Sequence, residues 1–201
     1  MFVPLPLAAV LLCVGPPSDD PPSTGPAIVA GRTAEMWAAD LSHENRIVRN
    51  RAALSLRAFG AEAAPSLADA LEHDDEAVRY WAAEGLGMTP DAPAAQQSLS
   101  TLRTMAKEGA TAERLAAAFA VTALGDPEAG VPTLIEGLGH ASRGVAVSSA
   151  DFLARLGKPA AAAAEALEKA ALNHDDYHVR YRSAQALKAV SGKVLKTSEV
   201  L

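Results

Sequence analysis

Cysteine is all but absent from this sequence: Cys13 is the only one in 201 residues. A disulfide framework and a cysteine-built zinc site are both excluded, so packing alone must hold the fold. Aromatic residues are also scarce at 4%, which rules out a core built on large rings. No apolar run reaches the roughly 20 residues that a membrane-spanning helix needs. Nothing alternates apolar and polar with period two, the mark of a half-buried strand. Basic charge is not in excess either, because 18 Lys and Arg are scattered among 24 Asp and Glu for a net charge of −6. Binding of nucleic acid by counterion release needs a clustered basic surface, so nucleic acid is not the expected partner. The one local cluster, Arg46, Arg49, Arg51 and Arg57, reads as a solvated helix face.

What the chain has is alanine. Its hydrophobic fraction is 49%, enough for a substantial core, and stretches such as 160–164 are unbroken Ala. Small helix-favouring residues in that proportion point to closely packed helices. Ahead of them, residues 2–14, FVPLPLAAVLLCV, form an apolar run of signal-peptide length, and 16–26 is a Pro/Ser/Asp linker. Residues 1–26 are read as an export signal and Pro-rich linker, which puts the protein in the periplasm or cell envelope. Against that stand the absence of Lys or Arg before the run, the interruptions at Pro4 and Pro6, and a weak cleavage pattern at Cys13-Val14-Gly15. A lipid anchor on Cys13 is the alternative, although Val10-Leu11-Leu12-Cys13 carries Leu where a lipoprotein signal has a small residue.

The body of the chain repeats. VRNRAALSLRAFG begins at Val48, VRYWAAEGLGMTP at Val78, ERLAAAFAVTALG at Glu113, VAVSSADFLARLG at Val145 and VRYRSAQALKAVS at Val179, with starts 30, 35, 32 and 34 residues apart. Counting the first residue of each unit as zero, position +8 is Leu56, Leu86, Val121, Leu153 and Leu187. Positions +4 and +5 are always small: Ala52-Ala53, Ala82-Ala83, Ala117-Ala118, Ser149-Ala150 and Ser183-Ala184. Positions 0, +4, +8 and +11 share one face of a 3.6-residue helix, and small residues there let neighbouring helices approach to roughly 8 Å. A shorter helix precedes each unit, marked by Trp37 and Leu41, Leu67 and Leu71, Leu102 and Ala106, and Leu134 and Leu138. The last copy has Leu172 in place but Glu168 at the earlier position, which predicts a slipped helix. Asn45, Asp75, Ser142 and Asp176 stand as N-caps of the second helices, with Ala110 the exception. Gly60, Gly125 and Gly157 stand where left-handed C-caps belong, and Pro65, Pro132 and Pro159 where the next helix begins.

This two-helix period, with its phrase VRxxAAxxLG, resembles the HEAT-repeat family in the short bacterial form first noted in phycobilisome lyases. The resemblance spans about residues 33–191. It implies an all-α fold, a right-handed α-solenoid of about five two-helix HEAT-like repeats occupying 27–192, with 193–201 as a C-terminal tail. HENRIVRNRAALSLRAFG, DDEAVRYWAAEGLG and HDDYHVRYRSAQALKAV are also similar to the HEAT segment that follows the catalytic domain in some bacterial sulfatases. The nucleophile motif of that enzyme, Cys/Ser-x-Pro-x-Arg, is absent. The di-iron hydroxylase built on HEAT repeats places His-Glu pairs near the start of its second helices. The matching positions here hold Asn50-Arg51, Tyr80-Trp81, Leu115-Ala116, Val147-Ser148 and Tyr181-Arg182.

His43, His73, His140 and His174 recur two residues before the cap position. Stacked repeats set equivalent residues about 8 to 10 Å apart, too far for one zinc ion, so these histidines are expected to cap the last carbonyls of the first helices. Arg49, Arg79, Arg114 and Arg180 share position +1, broken by Ala146. They read either as an anion-binding ladder or, preferably, as tethers to carboxylates such as Asp75 for Arg79 and Asp176 for Arg180. Arg51, Tyr80, Trp81, Tyr181 and Arg182 lie beside the core stripe and, by the resemblance, on the concave surface; residues of these types predominate in binding hot spots. Their alternative role is packing between repeats. With no Ser/His/Asp triad, phosphate loop or paired-Cys motif, no metal and no cofactor are expected. The expected function is a monomeric, non-catalytic scaffold that binds protein, or alternatively an accessory module of a lyase- or sulfatase-type enzyme system. For the export reading, N-terminal sequencing of the natural product should find a mature end between residues 14 and 26; an intact Met1 on cytosolic protein would refute it, and a blocked, lipid-bearing Cys13 would establish the anchored form.

Overall fold

The computed structural model describes residues 27–200, so the segment read as an export signal, with Cys13, lies outside the described residues. Five helix pairs follow one another. Repeat 1 is α1 (Ala34–Ala39) with α2 (Arg46–Leu56), and repeat 2 is α3 (Ala64–Asp69) with α4 (Glu76–Gly87). A short α5 (Pro93–Gln97) precedes repeat 3, α6 (Leu99–Glu108) with α7 (Thr111–Ala123). Repeat 4 is α8 (Pro127–Leu138) with α9 (Arg143–Leu156), repeat 5 is α10 (Ala164–Asn173) with α11 (Tyr177–Ser191), and α12 (Thr197–Val200) ends the chain. Among the described residues there is no strand, only an isolated bridge between Val29 and Arg32. The architecture is the expected all-α, right-handed α-solenoid.

The two helices of each repeat form separate layers. In the second layer α2 packs on α4, α4 on α7, α7 on α9, and α9 on α11, and these contacts are far denser than those between successive first helices. The small-residue columns are the cause. Ala52, Ala82, Ala117, Ser149 and Ser183 are all fully buried, so nothing beyond a Cβ or hydroxyl separates the helices. At Gly87 even a methyl group would not fit, because an added Cβ would lie 2.8 Å from the Ala120 Cα of α7. A stack whose helices crowd on one side bends toward that side, so the second helices line the concave face.

The +8 column is core throughout, with Leu56, Leu86, Val121, Leu153 and Leu187 each at most 1% exposed. The first-helix pairs are buried as expected in repeats 1 to 4. In α10 the register is slipped by one residue: Leu167 and Ala171 face the core, and Leu172 is 38% exposed. The cause is legible, since Glu168 would otherwise bury a carboxylate that instead meets Lys193 at the surface.

The extra length between repeats 2 and 3 is taken up by α5, which Pro93 initiates and which was not anticipated. Pro65 begins α3 and Pro159 lies in the 3-10 turn before α10, but Pro132 is inside α8, not at its start. That helix begins five residues earlier because Asp126 caps it, accepting from Ala129 N at 3.2 Å, and Pro127 fills its first position. Gly60 and Gly157 do break the chain after α2 and α9, at φ +60° and +61°, a region that residues with a side chain avoid.

Replacing Leu86 with Ala should cost about 2 to 5 kcal/mol in urea unfolding, since its side chain is fully buried at the α4–α7 seam. Leu172→Ala should cost less than about 0.5 kcal/mol; a large loss there would contradict the slipped register of α10.

Candidate functional site

Two surfaces carry the polar residues: the edge where first helices turn into second helices, and the concave face. At the edge, Asn45, Asp75 and Asp176 cap their helices, accepting from Ile47 N at 2.9 Å, Ala77 N at 3.1 Å and His178 N at 2.8 Å. Ser142 makes no such side-chain bond. Where Ala110 has no side chain to offer, Glu113 reaches back and accepts from the Ala110 N–H at 3.0 Å.

The four histidines are structural, by a different bond from the expected one. Nδ1 of His43, His73 and His140 each accepts from the N–H of the cap residue two positions on at 2.9 Å, and that of His174 at 3.0 Å. They therefore serve the start of the second helix, not the end of the first. With Nδ1 accepting, the proton sits on Nε2, and in His73 it points at Leu41 O of the preceding repeat, 3.1 Å away.

The arginine column is a set of tethers, and it runs forward along the solenoid. Arg49 Nη1 donates to His43 O at 2.9 Å and Glu44 O at 2.8 Å, while Nη2 donates to Asp75 of the next repeat at 2.7 Å. Arg79 repeats the pattern, bonding His73 O at 2.6 Å and Asp74 O at 3.0 Å and pairing with Glu113 of repeat 3 at 2.6 Å. Arg114 reaches Glu136 at 3.1 Å. Arg180 also reaches forward, its Nε donating to Val200 O of α12 at 2.8 Å. The expected pairings within one helix, Asp75 with Arg79 and Asp176 with Arg180, are replaced by these links, and Asp176 instead faces Arg143 at 3.7 Å. The reason is that each guanidinium already grips its own turn carbonyls, which aims its free edge at the neighbouring repeat. An edge groove of about 670 Å3 is lined by His43, Arg46, Arg49, His73, Asp75 and Arg79, groups largely engaged with one another.

On the concave face the five expected binding residues are spread over three repeats. Tyr80 and Trp81 come together, ring centroids 4.7 Å apart and edge to face, and line a groove of about 390 Å3 between α4 and the start of α7. Both rings also pack partly against the core, as the alternative reading expected. Arg51 stands apart, its guanidinium 5.4 Å from the Trp37 ring. Tyr181 is 46% exposed, 6.2 Å from Tyr177, and Arg182 faces Asp151 at 3.6 Å.

Between these groups lies a cluster that sequence reasoning missed. Glu84 is buried among small residues of α4, and both its oxygens are taken: Arg57 Nη1 donates to Oε2 at 2.7 Å and Arg155 Nη1 to Oε1 at 2.5 Å. Arg155 belongs to repeat 4 and crosses α7 to reach repeat 2, lying 4.4 Å over the Phe119 ring, which stacks on Phe152 at 5.0 Å. Arg57 lies 4.8 Å over Trp81. Burial, then the charge of Glu84, push the Tyr80 phenol up to about 12 against the lowering pull of Arg57 and Arg155, so it stays a neutral hydrogen-bond donor. The available signal was the lone Glu in WAAEGLG, a charge where small apolar residues surround it. Among the described residues no helix is long and apolar enough to cross a membrane, and no three His, Cys, Asp or Glu side chains gather where a metal ion could sit.

Stacked helix pairs with dense inner contacts and an arginine-tethered edge define a helical-repeat solenoid. Within that class the chain belongs to the HEAT-repeat family, whose model matches residues 34–114 and 99–188. Among solved structures it is similar to an engineered protein, at 21% identity and TM-score 0.51 over 78% of each chain. It is likewise similar to the complex of CpcE and CpcF of phycocyanin lyase from Nostoc sp. PCC7120, at 22% identity and TM-score 0.55, over 87% of this chain and 70% of that one. Among curated proteins, none matches the chain.

Burial works to raise the Asp75 carboxyl, but bonds from Arg49 and the Ala77 N–H and the charge of Arg46 outweigh it and hold it below the usual carboxylate range. Asp75→Asn keeps a capping side chain and loses the ion pair, so it should cost about 1.5 to 3 kcal/mol at neutral pH. Because the folded group titrates below its ordinary value of 3.8, that stabilisation is complete above 3.8 and is lost as pH falls through the folded value. Chemical denaturation from pH 7 to 2 should show the two proteins converging only in acid.

Proposed function

We propose that this protein is a non-catalytic scaffold that binds another protein across the concave face of its solenoid, on the second helices of repeats 1, 2 and 5. What supports this reading is that guanidinium and aromatic groups, the residue types that dominate binding hot spots, lie partly exposed along one continuous helical layer. Arg51, Tyr80, Trp81, Tyr181 and Arg182 are its proposed contacts, with Trp81 at the centre. Leu54 and Met88, 45% and 46% exposed on the same face, add apolar area beside them. Glu84 and Asp151, acidic side chains of this face, are each engaged with arginine. That engagement favours binding over acid/base catalysis, which needs a carboxyl free to exchange its proton with substrate. The setting we propose is the cell envelope, reached by the export segment.

The deciding experiment is a pull-down from the source cell envelope with wild type and with Arg51→Ala/Trp81→Ala/Arg182→Ala, helicity checked by circular dichroism. A single hot-spot truncation typically costs about 2 kcal/mol, roughly 30-fold in affinity, so the triple variant should release the partner. A folded variant that keeps every partner would move the binding surface to the convex first helices.

A further inference from the structure

The chemistry of the partner follows from the charge on the concave face. By helical spacing that face bears Arg51, Arg57, Arg155, Arg182 and Lys188 against Glu84 and Asp151, with Glu76 and the Arg79-paired Glu113 at the edge of the Tyr80–Trp81 groove, although the whole chain has a net charge of −6. Its positive balance is concentrated at the Glu84 cluster, where two guanidiniums share one carboxylate. One positive charge is left uncompensated there, above the rings of Trp81 and Phe119, which exclude water from one side. A charge in such a setting interacts more strongly than one in open solvent. The Arg57 Nε is buried and has no acceptor at all. Both arginine side chains are partly accessible, Arg155 at 37% and Arg57 at 21%, whereas the Glu84 side chain is only 6% exposed. An unbalanced pair of arginines over an aromatic floor is suited to a carboxylate, which accepts charge-assisted bonds from the nitrogens that Glu84 leaves open.

Resting on the protein-binding reading above, we infer that Arg57 and Arg155 form a carboxylate-binding site for an acidic segment of the partner protein, with Glu84 as its built-in first carboxylate. Glu84 orients both guanidiniums and partly neutralises them. The incoming Asp or Glu side chain completes the charge balance, and its neighbours lie along Trp81 and toward Arg51 and Arg182.

The probe is acetylated tetraglutamate, with tetraglutamine and tetralysine as controls, titrated into the full chain. The reporters are the Nε–H resonances of the arginine side chains in nuclear magnetic resonance. Tetraglutamate should shift the Arg57 and Arg155 signals, and raising salt from 50 to 300 mM should weaken binding at least about threefold, as expected for exposed charges. Tetraglutamine and tetralysine should leave both signals in place. Glu84→Gln removes the internal competitor and should tighten tetraglutamate binding about threefold or more; a Glu84 with a purely structural role would give no gain. If Glu84→Gln fails to fold, the comparison of the three peptides on wild type still decides the matter. No shift at Arg57 and Arg155, or an equal shift with tetraglutamine, overturns the inference. The two failures are distinguishable. Partner loss by the Arg51/Trp81/Arg182 variant without any tetraglutamate response leaves the scaffold standing and removes only its acidic specificity. A tetraglutamate response with every partner retained by that variant removes the concave protein-binding reading, and the present inference with it.

Discussion

Helices can approach to backbone contact only where neither carries bulk beyond Cβ, and in this protein that condition is met along a single layer. Ala52, Ala82, Ala117, Ser149 and Ser183 meet it repeat after repeat, and between α4 and α7 it tightens until Gly87 faces the Ala120 backbone. The curvature follows from this crowding, and so does the nearly complete burial of α7, the central second helix. Because α7 presents mostly Ala and one Phe to the concave side, a long side chain from repeat 4 can pass over it and reach Glu84 in repeat 2. A bulkier α7 would have separated the two arginines from their shared carboxylate.

The edge supplies a second kind of order. The repeats of a solenoid pack mainly on their neighbours, so its stability is approximately a sum of units and interfaces, and anything that couples a turn to the next cap raises cooperativity. Arg49 and Arg79 do this with one planar group: one nitrogen binds its own turn carbonyls, and another binds the carboxylate ahead. The chain is directional as a result. After repeat 5, α12 offers the Val200 carbonyl to Arg180 and a buried Val200 side chain to the stack. At the near end Trp37 closes the first repeat, its Nε1 donating to Val29 O at 3.1 Å.

These two surfaces divide the charged residues by purpose. Edge arginines have carboxylate or carbonyl partners at short range and are structural. On the concave face Arg57 and Arg155 share the one carboxylate of Glu84 and rest on rings, while Arg182 faces Asp151.

The repeat, its two-helix unit, the core columns and the caps were all legible in the sequence, because each depends on local spacing: 3.6 residues per turn places +4 and +8 on one face whatever surrounds them. The family resemblance rests on those same columns. Local rules failed where a longer-range partner decided the outcome. Arg79 turned from Asp75 to Glu113, 34 residues on, because its own turn already held it. The histidines were placed correctly and given the wrong bond, since only the folded turn shows that Nδ1 meets the next cap's N–H. Helix α10 slipped by one residue because Lys193 was available to hold Glu168 outside. The Arg57–Glu84–Arg155 cluster was beyond sequence reading altogether: Glu84 and Arg155 are 71 residues apart, and what joins them is the curvature of a stack that no single repeat contains.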